Sequence, residues 1–151
     1  MASSSISVMA ANRIRKEALK FREDSEGLSL EVLSDTEWRI SLTGAPGTLY
    51  AGEDYVLKVT FTSDYPMDSP VVQFVGPSPP HEHIYSNGHI CLNILGEDWS
   101  PALTVKSVVL SILSMMSSST CRARPDGDDS YSKHAPLNPK KTSFLYHDDS
   151  V

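Results

Sequence analysis

Between residues 7 and 22 the apolar positions Ala11, Ile14, Ala18 and Phe21 recur every three or four residues, which predicts a helix with one buried stripe. Arg13, Arg15, Lys16, Lys20 and Arg22 charge its other side, and Gly27 marks its stop. The period then changes to two. LSLEVL (28–33), WRISLTG (38–44), VLKVTF (56–61) and VVQFVG (71–76) alternate or run apolar like strands. Residues 44–55 hold two turn clusters, and Pro66 and Pro70 keep 62–70 out of a sheet interior. Short links between successive strands predict an antiparallel meander. Pro77, Pro79 and Pro80 end it, and residues 81–103 show turn chemistry at Ser86-Asn87-Gly88 without a helical period. A second helix is predicted over residues 104–117, with Thr104 as N-cap and Val105, Val108, Val109, Ile112, Leu113 and Met116 as a wide apolar face. The fold class is therefore α+β: an N-terminal helix, a four-stranded antiparallel meander sheet, a long loop, a helix packed on the sheet, and an irregular C-terminal tail. Residues 1–6 read as a flexible N-terminus, 7–117 as the core, and 118–151 as an irregular tail in which Phe144, Leu145 and Tyr146 dock locally.

A chain of 151 residues suits one domain with a real core. A net charge of -6 argues against a nucleic-acid binder, which needs a basic face. The start MASSSISVMA has no basic flank, and no apolar stretch approaches the ~20 residues of a membrane span. The two cysteines lie far apart and do not read as a disulfide framework, so a reducing compartment, cytoplasm or nucleus, is expected.

Cys91 lies between apolar neighbours just after the turn, in HEHIYSNGHICLNIL (81–95). A cysteine nucleophile needs access, a tuned thiolate and donors for a developing oxyanion, and a loop on a rigid scaffold supplies access best. Three other readings stand beside it. One is a buried structural cysteine. Another is a zinc site from His81, His83, His89 and Cys91, whose x-spaced pairs share a face in extended chain. The last is a cysteine–histidine hydrolase pair, for which no orienting partner is visible.

YSNGHICLNIL followed by EDWSPALTVKSVVLSI resembles the active-site block of ubiquitin-conjugating enzymes, and WRISLTGAPGTLYAGEDYVLKVTFTSDYPMDSP is similar to their sheet and Tyr-Pro loop. The resemblance covers about residues 10–117, and the subtype it fits is the W type, on His83 in the active-site tripeptide and the run NPKKTSFLYHDD. It implies that Cys91 accepts ubiquitin as a thioester from an activating enzyme and passes it to an amine of a target protein. It also implies RING-type ligases as partners. ATP would be used by the activating enzyme upstream; no cofactor or metal is expected on this chain, which carries no glycine-rich phosphate loop. Arg13, Lys16, Met67, Ser100, Pro101 and Ala102 match the family's partner-docking positions, with Met67 where many relatives carry Phe.

The chain departs from the family at His81-Glu82-His83, where most relatives carry His-Pro-Asn. That Asn is credited with ordering the loop or donating to the oxyanion, and His83 is expected to take the role. An acidic residue for the incoming lysine is not evident; Asp126, Asp128 and Asp129 are nearby but unaligned. An α-amine, with pKa near 7.7–8.0 against about 10.4 for lysine, is neutral a few hundred times more often at pH 7. Weak provision for lysine therefore favours N-terminal α-amines, the preference implied by the W type. The alternative class is a catalytically silent adaptor of the same fold that binds ubiquitin or ligases.

Overall fold

The computed structural model describes residues 6–141. Helix α1 spans Val8–Glu23, starting where the extended Ser7 accepts a hydrogen bond from the Ala10 amide at 3.0 Å. Its buried stripe is Ala10, Ile14, Glu17, Ala18 and Phe21, so the stripe begins at Ala10 rather than Ala11 and includes a carboxylate. Strands β1 (Ser29–Val32), β2 (Glu37–Thr43), β3 (Asp54–Thr60) and β4 (Val71–Val75) form one antiparallel sheet in the order β1-β2-β3-β4. The expected meander is present, with strand ends displaced by up to two residues. Period-two alternation puts Trp38, Ile40 and Leu42 opposite Val59, Leu57 and Tyr55 on one buried face.

Helix α2 spans Val105–Ser117 and opens with a capping box: the Ser107 amide donates to Thr104 Oγ1 at 3.1 Å, and the Thr104 amide donates to Ser107 Oγ at 2.8 Å. Val105, Val108, Val109, Ile112 and Met116 join the core of the sheet and α1. Leu113, expected on the same face, is half-buried. The rings of Phe21, Trp38, Phe61 and Tyr65 run edge to face through that core at centroid spacings of 6.4, 4.8 and 4.7 Å.

The tail departs from the irregular reading. Helix α3 spans Asp128–His134, with Gly127 in a left-handed conformation before it, acidic residues in its first turn and basic residues in its last. That charge order complements the helix dipole. A 3-10 turn follows at Pro139–Lys141. The expected docking of Phe144, Leu145 and Tyr146 and the expected flexibility of the N-terminus through residue 5 lie outside the described residues.

Glu17 is the polar centre of the core's edge. Its carboxylate accepts from Arg13 Nε at 2.7 Å, from the Val105 amide at 3.0 Å, and from the Tyr65 hydroxyl. One side chain thereby joins α1, the Tyr-Pro loop and the start of α2. A buried acid with every partner in place is costly to break, because removing it strands the groups that faced it. Glu17→Ala is expected to lower unfolding stability by about 2–4 kcal/mol in urea titrations. Lys106→Ala, which removes an exposed contact to Asp24, is expected to change it by less than about 1 kcal/mol.

Candidate active site around Cys91

The segment from Gly76 to Leu103 lies mostly outside regular structure, so its backbone groups must find partners one by one. The Asn-Gly turn solves the first part. Gly88 takes φ +95°, and its carbonyl accepts from the Phe74 amide at 2.9 Å, which fastens the turn to β4. A Cβ at Gly88 would stand 2.2 Å from the Phe74 carbonyl oxygen, so only glycine fits that approach. The Tyr85 amide then donates to the His89 carbonyl at 2.9 Å, and the Cys91 amide donates to the His83 carbonyl at 2.8 Å. These bonds fold residues 81–91 back on themselves and fix where the sulfur sits.

The sequence leads one to expect an accessible thiol. The structure corrects this: Cys91 is 7% exposed, and burial pushes its thiol up to about 11. Tyr85 lies close enough for the Cys91 charge to add to the upward shift that burial imposes on its phenol. The Tyr85 ring stacks on Tyr131 of α3 at 3.8 Å between centroids.

The sequence assigns His83 a loop-ordering or oxyanion-donating role. Its carbonyl holds Cys91 and its amide donates to His81 Nδ1 at 2.9 Å. Its half-buried ring lies 5.6 Å from the His81 ring and makes no hydrogen bond among the described residues. His81 and His89 are occupied elsewhere. His81 Nδ1 faces an amide donor, so Nε2 carries the proton it gives to the Met115 carbonyl at 3.2 Å. Burial lowers its pKa and keeps the ring neutral, against the opposing pull of that carbonyl. His89 Nε2 meets the Leu137 carbonyl at 3.1 Å, so Nδ1 accepts from the Tyr131 hydroxyl at 2.7 Å. Its pKa is likewise lowered by burial. Among the described residues no three His, Cys, Asp or Glu side chains converge as metal ligands, so the zinc reading has no ligand set there.

Of the expected docking residues, Arg13 lies 5.7 Å over the Tyr65 ring, and Met67, Ser100, Pro101 and Ala102 flank the tie between the Tyr-Pro loop and Trp99. Trp99 Nε1 donates to the Pro66 carbonyl at 2.9 Å, tying the loop of Met67 to the loop of Ser100, Pro101 and Ala102. Met67 is 72% exposed, and Pro101 and Ala102 are exposed. Ser100 Oγ accepts from the Ala102 amide at 3.2 Å. Arg13 is turned inward: Nη2 donates to the Pro101 and Leu103 carbonyls, both at 2.9 Å. Lys16 remains exposed beside it. A groove of about 330 Å3 runs from Met67 and Trp99 to Ile90 and Leu92.

Reading the sequence missed Glu17, Tyr85, Tyr131 and the two tail arginines. The charge order of α3 is a signal that finds the helix. Nothing local marks Arg122 or Arg124, whose partners lie 40–73 residues away.

A neutral thiol near 11 leaves on the order of one molecule in several thousand as thiolate at pH 7.5. Iodoacetamide is therefore expected to modify the exposed Cys121 well before Cys91 at pH 7.5, with Cys91 alkylation rising about tenfold per pH unit up to about pH 10. Equal rates at pH 7.5, read by peptide mass spectrometry, would contradict the burial.

The model of the family described as ubiquitin-conjugating enzyme matches residues 13–141. The chain is 49% identical over 148 residues to ubiquitin-conjugating enzyme E2 W of Caenorhabditis elegans, covering 94% of this chain and 97% of that one. It is 49% identical over 150 residues to ubiquitin-conjugating enzyme 15 of Arabidopsis thaliana, covering 97% and 93%. The crystal structure of ubiquitin conjugating enzyme E2 UbcA1 from Agrocybe aegerita superposes with a TM-score of 0.82 at 39% identity, covering 86% of this chain and 97% of that one. The chain belongs to the ubiquitin-conjugating enzyme family, whose members are transferases, and it has W-type relatives.

Proposed function

We propose that Cys91 carries ubiquitin as a thioester, received from an activating enzyme, and releases it to an amine of a target protein. The thiolate attacks the carbonyl of the activating enzyme's thioester, and that enzyme's thiol leaves. The amine then attacks the new thioester, expels the Cys91 thiolate and forms an amide. The observation that carries this reading is the placement of one thiol on a loop fixed by backbone bonds, between Ile90 and Leu92, which line a groove that reaches Met67 and Trp99. A thiol near 11 suits a carrier: the less acidic the thiol, the more slowly it leaves, so the loaded form persists until an amine is delivered. Ligases, of RING type in this reading, engage Lys16, Met67, Ser100, Pro101 and Ala102, with Arg13 shaping the loop.

The acceptor in this reading is the N-terminal α-amine. Asp128, the tail acid beside the turn, has Oδ1 committed to the Ser86 amide at 2.8 Å and Ser132 Oγ at 3.1 Å. That supports weak assistance to a protonated lysine, which leaves the less basic α-amine favoured. His83 is proposed to serve the oxyanion once the loop is loaded. One observation favours the adaptor reading instead: the 7% exposure of Cys91.

One experiment separates these. The full chain is incubated with ubiquitin-activating enzyme, ATP and ubiquitin, then run on non-reducing gels. A thiol-sensitive adduct, absent in Cys91→Ala, is expected; no adduct overturns the thioester reading and leaves the adaptor. The charged protein is then discharged onto a lysine-free peptide with a free N-terminus, or an N-acetylated peptide bearing one lysine. Faster discharge onto the free N-terminus by at least about tenfold at pH 7 is expected. Faster discharge onto lysine removes the α-amine preference. His83→Ala is expected to load normally and discharge more slowly, and normal discharge removes its role.

A further inference from the structure

The loop that receives the Cys91 amide is held at Pro80 by the Tyr50 hydroxyl and at His81 by the Met115 carbonyl, and its remaining carbonyls need partners from elsewhere. Pro77, Pro79 and Pro80 offer no amide proton, and the carbonyls of residues 78, 79 and 84 lie outside the named strands. All three accept from one side chain. Arg124 Nη2 donates to the Ser78 carbonyl at 2.8 Å, and Nη1 is shared among the Ile84 carbonyl at 3.1 Å, the Pro79 carbonyl at 3.2 Å and Ser78 Oγ at 3.0 Å. Ser78 Oγ in turn donates to the Tyr85 carbonyl at 3.2 Å, which closes the two ends of the segment on each other. His83, whose carbonyl takes the Cys91 amide, lies inside that closed segment, and Ile84 pairs across to Ile90.

We infer that Arg124 is a positioning residue for the nucleophile: its guanidinium, reaching from the tail, holds the 78–85 loop against which Cys91 is registered. It rests on the reading of Cys91 as the thioester site. The guanidinium brings two nitrogens to the loop, Nη1 to Pro79 and Ile84 and Nη2 to Ser78, whereas a lysine brings a single nitrogen on a shorter reach and cannot replace both. The neighbouring Arg122 anchors the same tail segment elsewhere, to the Leu49 carbonyl at 3.0 Å and to Glu53 at 3.0 and 3.2 Å. Arg122 reaches the loop only indirectly, lying 5.2 Å over the ring of Tyr50, whose hydroxyl donates to the Pro80 carbonyl; its removal leaves every Arg124 bond in place, so it separates those bonds from a role of the tail as a whole.

The test uses the full chain carrying Arg124→Lys, Arg124→Ala or Arg122→Ala. Lysine keeps the charge and the stem, so the comparison survives if the alanine variant fails to fold. Amide hydrogen exchange needs no ubiquitin: protection at Cys91 is expected to fall at least about tenfold in the Arg124 variants and to stay near wild type in Arg122→Ala. With the charged protein, discharge onto the lysine-free peptide at saturating peptide is expected to fall at least about fivefold in Arg124→Lys, with the half-saturating concentration changed by less than about twofold. Wild-type protection at Cys91 in Arg124→Lys, an equal loss in Arg122→Ala, or a wild-type discharge rate would overturn the inference. Failure of the wild-type chain to load sinks the thioester reading alone, because exchange still decides whether Arg124 holds the loop.

Discussion

The amide of Cys91 donates to the carbonyl of His83 at 2.8 Å, and the placement of the sulfur follows from that contact. An irregular segment against a packed core has no ladder to satisfy it, so each buried amide and carbonyl must be paired singly. The pairing here comes from several directions, among them α2, whose Met115 carbonyl accepts from His81, and Tyr50, whose hydroxyl donates to the Pro80 carbonyl. β4 supplies the Phe74 amide to the Gly88 carbonyl, and the tail supplies the Arg124 guanidinium. A loop held this way is specific without being regular. Its precision depends on residues far away in the chain.

The same packing that fixes the thiol also desolvates it. Burial disfavours the thiolate and leaves a weakly acidic sulfur, in contrast to cysteines activated by a neighbouring histidine. Neither His81 nor His89 serves as such a base, because each has both ring nitrogens engaged in holding backbone or Tyr131. Their work is architectural. His81 pins the loop to the end of α2, and His89 pins α3 and the Leu137 carbonyl to the turn. In the proposed function the chemistry then falls to delivery: a persistent acyl group on a poor leaving group, and an amine brought to it in its neutral form.

The regular elements were legible because their signals are local. Alternation in β2 and β3 matched the buried face, and Thr104 capped α2 as its residue type predicts. Glu17 was not legible: a glutamate among Arg13 and Lys16 reads as solvated surface, and its burial is visible only once the Tyr65 hydroxyl and the Val105 amide arrive from 48 and 88 residues away. α3 was not legible because six polar residues around the single Tyr131 make no apolar stripe; Tyr131 holds the helix by stacking on Tyr85. Cys91 stands out in the sequence by its setting, but the access expected of it is absent from the structure. A position on a loop implies access only when nothing docks on that loop, and here the tail does.

The measurement that tests this account most directly is a pH titration of the Cys91 13Cβ resonance in the full-length chain. Desolvation by the loop and its anchors predicts a midpoint of about 11. A midpoint at or below the ~8.5 of a free cysteine would contradict it, since the sulfur would then sit in water or beside a cation rather than in the packed setting described.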